Sequence, residues 1–422
     1  MVSGLQEKII TFATPVFFLL IAIELVASRL MRRQVYHLGD ALSSIGLGVL
    51  SQITGVFMGL LRIGFYAIAL DHIALIHLSA RDPWVWVSGV LLYDLCYYWL
   101  HRGGHEVNLL WAAHVVHHQS EDYNLSTALR QTSSGVFLGW IFYLPMALLG
   151  YPLQVFVVVS LIDLLYQFWI HTELIGSLGW FDRVFASPSN HRVHHAVNQR
   201  YLDRNYGGIL ILWDRLFGTF ETERVEEPCV YGTRSPLRSF NPLWANLEVY
   251  AKSWRDCKRA STWRERAAIW LKPPGWQSEE MAARFPQVPF DLKRPQFRPQ
   301  LRALSALYAV VQFTLVLMLS VYFLDYQKTA PVLVAMTACA YLALALFTLG
   351  AWLEQLRYAA LWEGGRVVVT AVVVVMYAAW RGTQAVSPFA VSALVAVAAC
   401  SLFALWHLNR TRPDVHLAEE IA

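Results

Sequence analysis

The chain has 422 residues, a mean hydropathy of +0.40 and only 15% charged residues. This balance excludes an ordinary soluble protein and is that of a polytopic membrane protein. The net charge is a modest +4, with Lys and Arg gathered in residues 250–300 and beside apolar runs, a membrane-surface pattern that argues against a nucleic-acid partner.

The first apolar run, Ile9–Ala27, follows an almost uncharged leader and ends at "SRLMRR". It has no basic leader and no clear cleavage site, so it reads as a retained helix rather than a signal peptide. The run 41–70 is too long for one span of roughly 20 residues. It is expected to enter as a helix and to leave as an interfacial segment from Arg62 to His77. The run 83–100 is the next main span. The runs 133–150 and 153–170, joined by "GYP", read as a helical hairpin about a tight turn. Four more runs, 303–325, 330–350, 366–381 and 387–407, form a C-terminal membrane region.

The basic clusters "RLMRR", "HRGGH", "KSWRDCKRASTWRER" and "HLNRTRP" are expected to share the cytoplasmic side. That puts both polar stretches, 101–132 and 171–300, in the cytoplasm together with the C-terminus, and the N-terminus outside. Residues 250–272 mix Trp254, Trp263 and Trp270 with seven Lys and Arg. They read either as a headgroup-level segment or as a solvated basic helix that packs its tryptophans inward. Five cysteines (Cys96, Cys229, Cys257, Cys339 and Cys400) with no C-x-x-C pair support neither a disulfide framework nor a thiolate zinc site.

Fourteen histidines occur, and nine of them form a pattern. "HRGGH" supplies His101 and His105 where a span meets the cytoplasm, and "HVVHH" supplies His114, His117 and His118. "IHTE" supplies His171, and "HRVHH" supplies His191, His194 and His195. On a helix the offsets 0, +3 and +4 fall on one face, so three imidazoles would point the same way. Crowding potential charges in this way makes sense when something accepts their lone pairs. One metal takes four to six ligands, so nine imidazoles overfill one site and suit two. An all-imidazole set suits Fe, Zn or Cu. Neither the E-x-x-H pairs of soluble di-iron bundles nor the H-E-x-x-H of zinc proteases is present. The expected architecture is an all-α polytopic membrane protein with a cytoplasmic, histidine-rich di-metal cap. It divides into 1–82 (N-terminal membrane helices), 83–225 (histidine core), 226–300 (basic, aromatic segment) and 301–422 (C-terminal spans). His37, His72, His77, His407 and His416 are isolated and read as ordinary interfacial or surface residues.

Asp163, Gln167 and His171 recur every four residues on an otherwise apolar helix, and Asp94 shares a face with His101 and His105. A carboxylate among apolar membrane residues usually has a partner. Asp94 and Asp163 either orient ligating histidines, or line a substrate cavity, or join two helices by an internal hydrogen bond. The string "SEDYNLSTALRQ" holds Glu121, Asp122, Asn124, Ser126, Thr127, Arg130 and Gln131 directly after a histidine triple. These groups either bind a polar headgroup or reductant, or order the loop that presents His117 and His118.

The three histidine boxes at a membrane edge resemble those of the fatty acid hydroxylase/sterol desaturase superfamily of membrane di-iron oxygenases. Three longer strings carry the resemblance further: "HQSEDYNLSTALRQ" (His118–Gln131), "YQFWIHTE" (Tyr166–Glu173) and "HRVHHAVNQRYLDRNYGGILILWDRLFGTFE" (His191–Glu221). Within the superfamily they are similar to the enzymes that cleave the ether bond of alkylglycerols. The match covers residues 90–225, and the tail from 303 agrees in kind only. The resemblance implies two Fe ions on the nine histidines, O2 as co-substrate and a membrane lipid as substrate. It also implies an electron donor, which in the animal enzymes of this kind is tetrahydrobiopterin; no residue pattern here marks a pterin site. One position departs from the pattern, since Asn190 stands where a further histidine often precedes the last box. A sterol or amino-lipid hydroxylase or desaturase would use the same irons with a differently shaped cavity. A metal-binding or transport protein would carry charged or histidine residues deep in several spans, whereas here the histidines gather at one edge.

Overall fold

The computed structural model describes residues 2–381 and 387–410, and its regular elements are all helical. Three isolated β-bridges occur among the described residues, and no strand. The chain forms two compact units, one of Met1–Arg238 with Leu243–Phe297, the other of Ser239–Pro242 with Arg298–Ala422. Among the described residues, six helices are long and apolar enough to cross a membrane: two stand before the histidine-bearing stretch and four after it.

The first unit opens with α1 (Val2–Leu30) and α2 (Leu38–Ile73). The stretch from Arg62, expected to leave as an interfacial segment, continues α2, which runs unbroken for 36 residues, about 54 Å at 1.5 Å per residue. Nothing in "GLLRIGFYAIAL" forbids helix, and its Tyr66 is buried in the apolar core. It stacks on Phe156 at 4.0 Å and donates to the Tyr151 carbonyl at 2.8 Å. Next come α3 (Pro83–Glu106) and α4 (Asn108–His118), with the extended residue Val107 between them, and then the short α5 (Leu125–Ala128).

The hairpin forms, but its first arm is not one helix. It breaks into α6 (Val136–Gly139), a 3-10 turn (Trp140–Tyr143) and α7 (Leu144–Leu148), with Pro145 starting the last piece. The second arm, α8 (Leu153–Trp169), is continuous. Between them Gly150 adopts a left-handed φ of 71°, and a side chain there would strike the Ile76 carbonyl. Both arms fall below the 18 residues of the long apolar helices; at 1.5 Å per residue they reach less than the ~30 Å of a hydrocarbon core. The hairpin packs on α2 and α3 through an apolar cluster that includes Tyr93, Tyr143, Met146, Val155 and Phe156.

The rest of the first unit comprises α9 (Pro188–His195), α10 (Leu212–Phe217), α11 (Pro242–Arg259) apart from its first residue, α12 (Trp263–Leu271) and α13 (Glu279–Arg284). In the basic, aromatic stretch Trp270 packs against Cys257, Ile269 and Met281, while Trp254 and Trp263 are exposed.

The second unit is built on α14 (Ala303–Tyr326), α15 (Val332–Leu353), α16 (Ala359–Arg381) and α17 (Pro388–Arg410). It buries Glu363 and Arg366 of α16 as an ion pair. The pair is ringed by Tyr308 and Gln312 of α14, Tyr341 and Thr348 of α15, and, through Gln312, Ser401 of α17.

Candidate metal centre

Each histidine box sits at the end of a short or terminating helix. His101 and His105 occupy the last turns of α3, and the chain then reverses at Val107 so that α4 lies against α3. Gly104 makes that approach possible, since a Cβ there would lie 3.2 Å from Cγ of His114. His171 follows the end of α8 by two residues. The third box forms α9, which starts with Pro188 in its first turn and is capped by Ser187, whose hydroxyl accepts the Asn190 backbone N–H. Every residue of α9 is buried although the helix is strongly polar.

All nine histidines come together, but the triples do not each serve one site. His101, His105, His114, His118 and His194 form one cluster, and His117, His171, His191 and His195 form another; within each, the ligand-capable atoms lie within 4.8 Å of one another. Sequence neighbours therefore part company: His117 and His118 belong to different clusters, as do His194 and His195. The clusters share a wall, where His118 and His195 stack with ring centroids 4.3 Å apart. His37, His72, His77 and His407 join neither cluster, and His416 lies outside the described residues.

Backbone carbonyls fix the tautomers. Nδ1 of His101 lies 2.8 Å from the Tyr206 carbonyl, that of His117 3.0 Å from Arg130, that of His171 2.7 Å from Gln167 and that of His194 3.0 Å from Arg204. A carbonyl only accepts, so these Nδ1 atoms carry the proton and each neutral ring presents a bare Nε2 lone pair. The Nε2 atoms of His171 and His117 nevertheless face each other at 3.1 Å, as do those of His191 and His171. In the larger cluster His194 faces His118 at 3.2 Å, and His118 faces His114 at 3.1 Å. The Nε2 atoms of His101, His105 and His195 are buried without a hydrogen-bond partner. Burial, the largest cause, holds His114, His118, His171, His191, His194 and His195 well below the ordinary histidine pKa, and His117 at about 4. Uncharged nitrogens at these separations repel unless an electron-pair acceptor lies between them, and buried unsatisfied groups are costly. The donor set therefore fits metal ions, and all-imidazole coordination suits iron.

The hydrogen bonds of Asp94 and Asp163 run to groups other than the histidine rings. Asp94 accepts the backbone N–H groups of Ile209 (2.8 Å) and Leu210 (3.0 Å) and the indole N–H of Trp213 (2.9 Å). It thus anchors the loop whose Tyr206 carbonyl receives His101. Gly208 fits beneath that clasp, because a Cβ there would lie 2.6 Å from Oδ1 of Asp163 and 3.0 Å from Oδ1 of Asp94. Gln167 donates to Asp163 (2.7 Å) and accepts from Tyr97 (2.7 Å), while its backbone carbonyl receives His171. Asn190 donates its amide to the carbonyls of Asp182 (3.0 Å) and Phe185 (3.2 Å).

The polar string after the second box orders its own loop. Asn124 caps α5 by accepting the Ser126 N–H and donates to the Val35 carbonyl. Asp122 accepts the His37 N–H, and Glu121 accepts the Phe297 N–H and pairs with Arg294 at 3.3 Å. The fully buried Arg130 donates to the Val116 carbonyl at 2.8 Å. Gln131 donates to the Ala128 carbonyl.

Sequence reasoning missed Glu24, a buried carboxylate inside the first apolar run that accepts a hydrogen bond from Thr172, next to His171. Its signal was an acid alone in an apolar run with no cation a turn away. The four tautomer-fixing carbonyls left no signal, because every residue has one.

The fatty acid hydroxylase family model matches residues 86–219, which contain all nine clustered histidines. Relatives extend the likeness well beyond that stretch. Human alkylglycerol monooxygenase is 38% identical over 359 residues, covering 83% of this chain and 79% of the human protein. The enzymes of that name from Xenopus tropicalis and Danio rerio are 35% and 36% identical, covering 83% and 84% of this chain and 78% and 79% of their own. No solved structure matches. The metal-fitting geometry and these likenesses agree on an oxidoreductase of membrane lipids, and the chain belongs to the alkylglycerol monooxygenase family of fatty acid hydroxylases.

Proposed function

We propose that the two clusters hold two iron ions and that the chain is a mono-oxygenase of ether lipids of the alkylglycerol class. His101, His105, His114, His118 and His194 would hold one ion, and His117, His171, His191 and His195 the other. The observation that carries this reading is the set of Nε2 atoms facing one another at 3.1–3.2 Å, among rings of which His117, His171 and His194 commit Nδ1 to a backbone carbonyl. Bound there, iron supplies the O2 chemistry that hydroxylates an unactivated C–H bond; beside an ether oxygen the product is a hemiacetal, which falls apart to a fatty aldehyde and glycerol. The chain's own part is to orient the rings through the carbonyls of Arg130, Gln167, Arg204 and Tyr206 and to keep water from the clusters by burial. No side chain is assigned as a general base.

The choice of an ether lipid is supported by identity to alkylglycerol monooxygenases over about four-fifths of the chain. Tetrahydrobiopterin is the first reductant to test, on the strength of the same likeness. The Lys and Arg distribution supports a cytoplasmic face for the histidine clusters and the C-terminus, in the inner membrane of a bacterium or the endoplasmic reticulum of a eukaryote. The functional division remains 1–82, 83–225, 226–300 and 301–422. Iron-loaded membranes given a labelled alkylglycerol, O2 and tetrahydrobiopterin or another reductant are expected to release labelled fatty aldehyde. Hydroxylation of a sterol or amino lipid with no aldehyde formed would retain the family and overturn the substrate.

A further inference from the structure

Helix α1 is a candidate span over Phe12–Leu30, and only 11% of its most apolar window is buried. Glu24 is an exception on it, being only 5% exposed. A carboxylate on such a helix is expensive and persists only with partners. Oε2 of Glu24 accepts the Tyr36 hydroxyl at 2.5 Å and the Leu125 backbone N–H at 2.8 Å, and Oε1 accepts the Thr172 hydroxyl. Thr172 directly follows His171. Leu125 opens α5, in the loop that ends at Arg130, whose carbonyl receives Nδ1 of His117. Two more contacts fall on the same stretch: Phe17 stacks on Phe168 at 4.2 Å, and Arg33 donates to the Glu173 carbonyl at 3.0 Å. The N-terminal helix and its following turn thus grip residues 168–173 on both sides of His171. His171 and His117 belong to the same four-histidine cluster.

We infer that α1 is a clamp on the four-histidine cluster and that Glu24 is its positioning residue, setting His171 through Thr172 and the His117 side through Leu125. Without the carboxylate, a buried N–H and two hydroxyls lose their acceptor, which the surrounding apolar residues cannot replace. Outer supports of this kind are worth about 10- to 100-fold in metal affinity. Glutamine can restore the clamp, because its amide oxygen serves Leu125 and Tyr36 while its N–H donates to Oγ1 of Thr172.

The inference rests on the two-metal reading, so the test has a part that needs no metal. In the metal-free, full-length protein, Glu24→Leu is expected to speed amide exchange in residues 122–130 and 168–175, and Glu24→Gln to return it towards wild type. In anaerobic titration with ferrous iron, Glu24→Leu should weaken one binding step about 10- to 100-fold and spare the other. The iron content of the wild type tests the two-metal reading separately. If Glu24→Leu does not accumulate, Thr172→Val removes only the hydrogen bond to the His171 stretch and should weaken the same step. Wild-type exchange together with wild-type iron affinity, in either variant, would overturn the clamp.

Discussion

The C-terminal unit and the histidine-bearing unit each bury a dense polar cluster, and the two are satisfied in opposite ways. Around Glu363 and Arg366 the groups answer one another. Glu363 accepts Tyr308 and Arg366 on one oxygen, and Thr348 and Arg366 on the other. Arg366 also donates to Tyr341 and Gln312, and Gln312 donates to Ser401. The network closes on itself and pairs four helices, the usual task of polar groups between membrane helices. The histidine clusters do not close. Four of their Nδ1 atoms, those of His101, His117, His171 and His194, are tied outward to carbonyls, while the Nε2 atoms face one another or have no partner. A closed cluster explains itself as structure, whereas an open one of uniform donors calls for an ion.

The largest effect that sharpens this contrast is expected at the open clusters. His118→Ala and His195→Ala, one from each cluster, should each reduce lipid hydroxylation to background in isolated membranes while the chain remains membrane-inserted. Opening the closed cluster should do the reverse. Arg366→Met strands a buried carboxylate, at about 3–5 kcal/mol of stability, and should lower the midpoint of thermal unfolding without changing iron content. Replacing both partners with apolar residues should recover most of that loss. Iron loss on Arg366→Met in protein that remains folded would break the comparison.

Much of the open cluster was legible in the sequence, because imidazoles at 0, +3 and +4 near span ends have few other uses. Their division between two sites was not, since helical spacing says which residues share a face but not that His117 and His118 straddle a boundary. Length shows that the run 41–70 exceeds one span, but not that Tyr66 packs on Phe156 within it. Asp94 was noticed, but its partners are two backbone N–H groups and an indole more than a hundred residues away, which no local pattern reveals.

A smaller effect follows from that anchor. Asp94→Asn weakens the hold on the 207–211 loop and so on the Tyr206 carbonyl that orients His101. Turnover is expected to fall about 10-fold, with the amount of membrane-inserted protein nearly unchanged. Equal losses of turnover and protein would assign Asp94 to folding alone.

The most direct test of the central claim is the iron content of the full-length protein, purified and loaded with ferrous iron under anaerobic, reducing conditions. The two open clusters predict two tightly held irons per chain, with His118→Ala and His195→Ala each losing a different one. At most one equivalent, or loss of the same single iron in both variants, would contradict the account.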